Sequence, residues 1–258
     1  MYILLTDETN VKPDKNAKFF VYGGVFFPVE ILFQLDSAIE NIRHQFGYLP
    51  GDNLKFDTRK RPSQVTIQNS TEAKKQVIQV CAKFGCKFIV HIIHHEIIKN
   101  QNFDQQVQWA ADFVIGRYNK YLKENNDWGI CVMDNLPSKT QFKYLSDKFS
   151  YGLKLYDGRT VKLDKIKLYA STCINASHSN SAIDIILGCF RYCINDPKNI
   201  NVAKNMLKSV VQLMWYKKIN NTLYLRDRGL IIRPKLEDIT STYKSDYNDL
   251  LRHLKNLL

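Results

Sequence analysis

Three aspartates sit where a carboxylate could do chemistry. Asp7 follows the apolar run MYILLT, Asp134 ends GICVMD, and Asp184 is the only charged residue in SAIDIILGCF. An aspartate among hydrocarbon is costly unless it has a cation, a metal or a proton. Taken singly, an Asp after a strand is commonly a turn former. Arg191, two helical turns beyond Asp184, shares its face and could pair with it. Taken together, the three point elsewhere. Strand ends gather at one edge of a mixed sheet, where ligand sites form, and a helix packed over that edge could bring Asp184 to the other two. Carboxylates at one spot raise each other's pKa. A divalent cation relieves that repulsion, and oxygen-only donors suit Mg2+ or Mn2+. Two such ions serve displacement at phosphorus, one activating water and the other stabilising the leaving oxygen.

Other residues carry weaker signals. Gly188, one turn after Asp184, leaves space on the same helix face for a phosphate, a close backbone or a packed helix. The run HIIHHE at 91–96 lacks the HExxH spacing of a zinc site. On a strand His91 and His95 share one face and His94 the other, which suits packing or surface roles. His178 lies in a serine-rich turn before Asp184, where it could position water or a phosphate; Ser177, Ser179 and Ser181 are helix-capping types. Lys55 could contact phosphate. The sequence has no Walker loop, GxSxG elbow or GxGxxG run.

The elements that must position these residues follow from periodicity. MYILLT and residues 17–29 read as strands of a hairpin, and 29–47 as a helix ending at Gly47. Residues 48–71 read as an irregular excursion, then a helix over 72–84 and a strand over 86–95. A long amphipathic helix spans 104–124, followed by the strand WGICVMD, a helix over 138–153 and the strand KIKLYAS. Helices follow at 179–194 and 200–218, then a hairpin in TLYLRDRGLIIRPK and a terminal helix from Tyr243. Strands and helices interleave, so the expectation is one mixed α/β domain over 1–258, with a central sheet flanked by helices, an insertion at 48–71 and a C-terminal extension at 196–258 carrying extra helices.

Composition narrows the class. Of 258 residues, 45% are hydrophobic, enough for a sizeable core. No apolar run approaches the ~20 residues that span a bilayer, and Asp7 and Glu8 arrive too early for a secretory leader. Six scattered cysteines lack paired CxxC knuckles and read as reduced core thiols of a cytoplasmic protein. The net charge is +12, and residues 139–235 hold 18 Lys and Arg against six Asp and Glu, so the whole excess lies there. A localised basic field points to a polyanion, most plausibly nucleic acid. Tyr144, Tyr151, Tyr156, Tyr169, Trp215 and Tyr216 are interleaved with it and could stack on bases or simply pack.

The order of elements is similar to the ribonuclease H-like fold. TDET at 6–9, FFVYGGVFF, VMDN at 132–135 and SHSNSAIDIILG at 177–188 resemble the family catalogued as domain of unknown function 3800, over about residues 1–195. The resemblance implies a metal-dependent nuclease linked to mobile elements or defence. Asp7, Asp134 and Asp184, with Glu8 as a further candidate, would hold Mg2+ or Mn2+. Lys55, His178, Arg191, Lys204 and Lys208 would contact RNA or DNA. A homo-oligomer or a defence-system partner is compatible with it. The chain departs from the family at Ser181, where a Gln is usual, and at Asn53, near the place of a family acid. If Asn53 holds that place, one ligand is neutral, and Asp52 or Glu8 would have to compensate. The alternative is therefore a catalytically silent nucleic-acid-binding or regulatory protein. Asp7 and Glu8 are consecutive, so both can face one site only if the strand has ended.

Overall fold

The computed structural model describes residues 1–13, 15–135, 140–155, 157–195, 199–220, 222–239 and 243–258, the Asn175 side chain excepted. Lys139 and Tyr156 lie outside them. In chain order the elements are β1 (Tyr2–Thr9), β2 (Phe19–Pro28), α1 (Leu32–Gln45), α2 (Ile67–Lys83), β3 (Lys87–His94), α3 (His95–Ile98), α4 (Phe103–Glu124), β4 (Gly129–Asp134), α5 (Thr140–Tyr151), β5 (Leu153–Lys154), β6 (Thr160–Val161), β7 (Ile166–Thr172), α6 (Asn180–Ile194), α7 (Ile200–Leu213), β8 (Lys217–Ile219), β9 (Thr222–Tyr224), β10 (Leu230–Arg233) and α8 (Tyr243–Leu257).

Six strands form one mixed sheet in the order β10-β3-β2-β1-β4-β7. β1, β2 and β3 are antiparallel neighbours, while β4 runs parallel to β1 and β7 parallel to β4. β2 is central and apolar on both sides, as its unbroken FFVYGGVFF run requires. Gly23 and Gly24 keep it thin. A Cβ on Gly23 would stand 2.7 Å from Leu187 of α6, and one on Gly24 would stand 2.6 Å from Leu4 and 3.2 Å from Val114 of α4. The pair thus lets helices approach from both faces. One core holds α1, α2, α6, α7 and α8 on the face of Leu5, Val21 and Val25; the other holds α4 and α5 on the face of Leu4, Phe20 and Phe26. Tyr48, Leu54 and Val65, from the excursion after α1, are buried in the first core, and α7, α8 and β10 complete it and the sheet.

Several boundaries differ from the periodicity. β1 does not end at Asp7 but pairs with β2 as far as Thr9↔Val21. α2 begins at Ile67, five residues before the expected start, because the Thr66 side chain accepts the Asn69 amide and caps it. α7 stops at Leu213, and the Trp215 amide donates to the Phe88 carbonyl. TLYLRDRGLIIRPK is not one hairpin: β9 pairs back onto β8, while β10 leaves to pair in parallel with β3. Its apolar LIIR segment is better buried at the main sheet than in a small ribbon. Five cysteines are buried free thiols as expected, but Cys173 is exposed. No helix among the described residues is long and apolar enough to cross a membrane.

Candidate active site

The acids meet at one edge of the sheet. Thr6 and Met133 are register partners on the parallel strands β1 and β4, so Asp7 and Asp134 are the next residues along each. Their side chains leave the sheet on the α6 face, where Leu5 and Val132 also pack. α6 crosses above them and contributes Asp184. A cavity of about 280 Å³ is lined by Asp7, Glu8, Asp134 and Asp184 together with Lys55, Lys60 and Thr172. A second, of about 460 Å³, adjoins it through Asp7, Glu8, Lys55, Lys60 and Asp184 and extends to Lys12 and Arg191.

Glu8 borders both cavities although β1 continues through it. The β1–β4 pairing ends at Thr6↔Met133, which leaves that flank of β1 open to the cavity beyond it.

The electrostatics are those of a crowded anionic site. Burial lifts the Asp7 carboxyl well above the usual carboxylate range, and the charges of Glu8, Asp184 and Asp134 lift it further. Burial and then Asp134 push Glu8 up to about 7. Burial also raises Asp134, and Asp184 adds to this, while the Asn135 amide and Lys55 oppose it. Two carboxylates about 5 Å apart, the spacing of adjacent strands, repel by about 3 kcal/mol at an effective dielectric near 20. The site therefore favours protons or a cation.

The excursion between α1 and α2 supplies the cations. The Phe56 amide donates to Asp184 Oδ2 at 2.6 Å. On its other side Lys74 donates to the Phe56 carbonyl at 3.0 Å and to Thr58 Oγ1 at 2.7 Å. Lys74 is buried, and that burial lowers its pKa. The Phe56 ring lies over Gly188, where a Cβ would come within 2.3 Å of it. The space that Gly188 leaves on α6 is thus met by an aromatic ring. The Arg191 guanidinium sits 5.6 Å from the same ring; among the described residues no ion pair joins it to Asp184. This strap directs Lys55 and Lys60 toward the acids. Asn53 lines neither cavity; of this stretch Lys55, by its side chain, and Phe56, by its amide, meet the acids. Asp52 accepts the Leu49 amide and the Gln64 side chain, and Asp57 is engaged by Arg59.

The remaining sequence candidates lie elsewhere. His178 is 3.7 Å from Glu40 of α1 and lines neither cavity. Ser177 Oγ accepts the Ser179 amide at 3.1 Å at the start of α6. Asp36 of α1 joins it, accepting from the same amide at 2.9 Å and from the Ser177 and Ser179 hydroxyls at 2.6 and 3.1 Å. A carboxylate at a helix N-terminus satisfies orphan amides and the dipole together. Lys204 and Lys208 are exposed on α7 and line neither acid cavity. Tyr144 and Trp215 are buried, so neither is available to a base, whereas Tyr151 and Tyr216 are exposed. His91 is buried against Phe113, its rings stacked at 4.7 Å, and His94 Nε2 lies 3.0 Å from Asp246 Oδ2. Lys60 and Phe56 are site residues the sequence did not single out; no local pattern marks them.

Buried carboxylates that raise one another are the donor chemistry of a hard divalent cation. In the arrangement described, however, Asp184 is turned to the Phe56 amide, and among the described residues no group of three or more His, Cys, Asp or Glu side chains is placed to hold a metal ion. No family model matches the chain, and no curated protein matches it.

Proposed function

We propose that the chain is a ribonuclease H-like domain whose acid cleft hydrolyses phosphodiester bonds of RNA or DNA with a divalent cation. The observation that carries this reading is the convergence of Asp7, Asp134 and Asp184, from two adjacent parallel strands and a crossing helix, on one cavity. The strand arrangement supports it: three antiparallel strands, β3-β2-β1, extended past β1 by two parallel ones, β4 and β7, agree with a ribonuclease H-like sheet.

Asp7, Asp134 and Asp184 would hold Mg2+ or Mn2+, with Glu8 beside them. A cation held there would supply activation of water for attack at phosphorus and stabilisation of the leaving oxygen. The chain's own cations do the rest. Lys55 and Lys60 face the acids and would fix the scissile phosphate, and Arg191 would take a neighbouring one. These contacts position the strand without reading its sequence. Raised carboxyl groups release protons when a cation arrives, so cation affinity rises with pH.

A specific observation favours the second reading, a silent nucleic-acid-binding protein. Asp184 is already satisfied by a peptide amide, and two lysines border the acid cavity. One experiment separates them. Labelled single-stranded and duplex RNA and DNA are incubated with the protein and Mn2+, alongside Asp184→Asn. Cation-dependent cleavage lost in the variant supports the enzyme. Salt-sensitive binding with no cleavage, and no Mn2+-induced rise in Tm, leaves the binding protein.

A further inference from the structure

We propose that the groove between α5 and the outer strand β7 is a track for single-stranded nucleic acid that leads into the acid cleft. The inference rests on the reading above and names its substrate class.

The groove is lined by Phe142, Leu145, Phe149, Lys167, Tyr169 and Ser171, among others. Phe142 and Phe149 lie two turns apart on α5 and are 67% and 64% exposed. Two bare phenylalanine rings on one helix face are an unusual display for a surface that meets only water. Cations flank them. Lys143 is exposed beside Phe142, and Lys167 stands 4.2 Å over the half-exposed Trp128 ring. Residues 142–171 hold seven Lys and Arg against three Asp, and among the described residues no acid lines the groove. Rings with lysines beside them hold bases by stacking and phosphates by charge.

The groove ends across the sheet edge from the acids. Ser171 lines it on the α5 face, while Thr172, the register partner of Asp134, points to the α6 face and lines the acid cavity, so a strand in the groove reaches the acids by rounding the end of the outer strand β7. From Lys167 to Thr172 the strand advances about 17 Å, room for more than one nucleotide. Only unpaired bases present their faces to a ring, so the occupant is a single strand and not a duplex. A second copy of the chain is disfavoured. A two-fold contact would close a surface that carries lysine and, among the described residues, no acid onto itself, with no opposite charge to meet, and lysines on an outer strand oppose edge-to-edge pairing.

The test is binding without cleavage. Anisotropy of labelled oligothymidylate, oligouridylate and a hairpin duplex is measured in EDTA, which separates this inference from the fate of the catalytic reading. Wild-type protein is expected to prefer the single strands. Phe142→Ala with Phe149→Ala should lose at least about fivefold for each ring with duplex binding and Tm unchanged. Phe142→Tyr with Phe149→Tyr should keep the affinity, because stacking survives. Lys167→Gln should flatten the salt dependence. Three results overturn the track: single-strand affinity unchanged in the alanine pair, no single-strand binding by wild-type protein, or a sedimenting dimer that the alanine pair dissolves. Mn2+-dependent cleavage persisting alongside any of them would leave the phosphodiesterase reading intact.

Discussion

The Phe56 amide donates to Asp184 Oδ2 at 2.6 Å, joining residues 128 positions apart. That bond answers how Asp184 is tolerated among isoleucines: its acceptor oxygen faces a peptide donor at the cavity wall. It also couples the strap carrying Lys55 and Lys60 to the acid it serves.

Asp184→Asn keeps an acceptor for the Phe56 amide and removes a charge from a repulsive cluster. The fold should be as stable as wild type or more so, while any Mn2+-dependent cleavage and Mn2+-induced rise in Tm disappear. Asp184→Leu leaves that amide unsatisfied and should cost about 1–3 kcal/mol. Urea unfolding of the two variants checks the contrast; equal losses would remove the hydrogen bond from the account.

Gly188→Ala puts a Cβ within 2.3–2.6 Å of three Phe56 ring and Cβ atoms. The ring must move, at a cost of about 1–3 kcal/mol. In a Phe56→Gly background the same substitution should be nearly free, because both the ring and the Phe56 Cβ are gone. A double-mutant cycle reads the coupling.

Asp36 caps α6 from another helix. Burial opposes its ionisation, but hydrogen bonds from Ser177 and Ser179 and the nearby His178 outweigh this and hold its pKa below the usual range. Its contribution is present above the ordinary aspartate pKa and lost as pH falls through the depressed value. Asp36→Ala should destabilise by about 0.5–2 kcal/mol, and faster hydrogen exchange should appear in the first turn of α6.

Burial, and secondarily Arg233, push the His91 imidazole down to about 3. The unfolded side chain protonates near 6.5. Stability due to neutral His91 is therefore complete above about pH 6.5 and is lost as pH falls toward 3. His91→Leu cannot take up the proton. The stability difference between the proteins should shift toward the variant on acidification from about pH 7 to 4, as followed by chemical denaturation.

Much of the sheet was legible because β2 and β3 are continuous apolar runs, and Asp134 was conspicuous as a charge at a strand end. What could not be read locally was the strap. Phe56 and Lys60 sit in an excursion of mixed composition, and their role comes from contacts with α6 and α2 far away in sequence. The cap on α6 was legible only in part for the same reason: Ser177 does accept the Ser179 amide, but nothing local reveals that Asp36 reaches in from α1 to share it. β10 was taken for half of a ribbon because LIIR has the same alternation at a hairpin or at the rim of a larger sheet; only the vacant edge of β3 decides between them.

The adjacency of Asp7 and Asp134 has one more implication. Their separation is fixed by the peptide ladder between β1 and β4, independent of any surface connection. Exchanging Lys55 and the segment 57–63 around Lys60, with Leu54 and Phe56 kept in their places against the core and α6, would change the cations offered to a ligand while the two carboxylates kept their spacing. The sheet is in this sense a constant frame, and the excursion a replaceable selector through which new recognition could be built on unchanged chemistry.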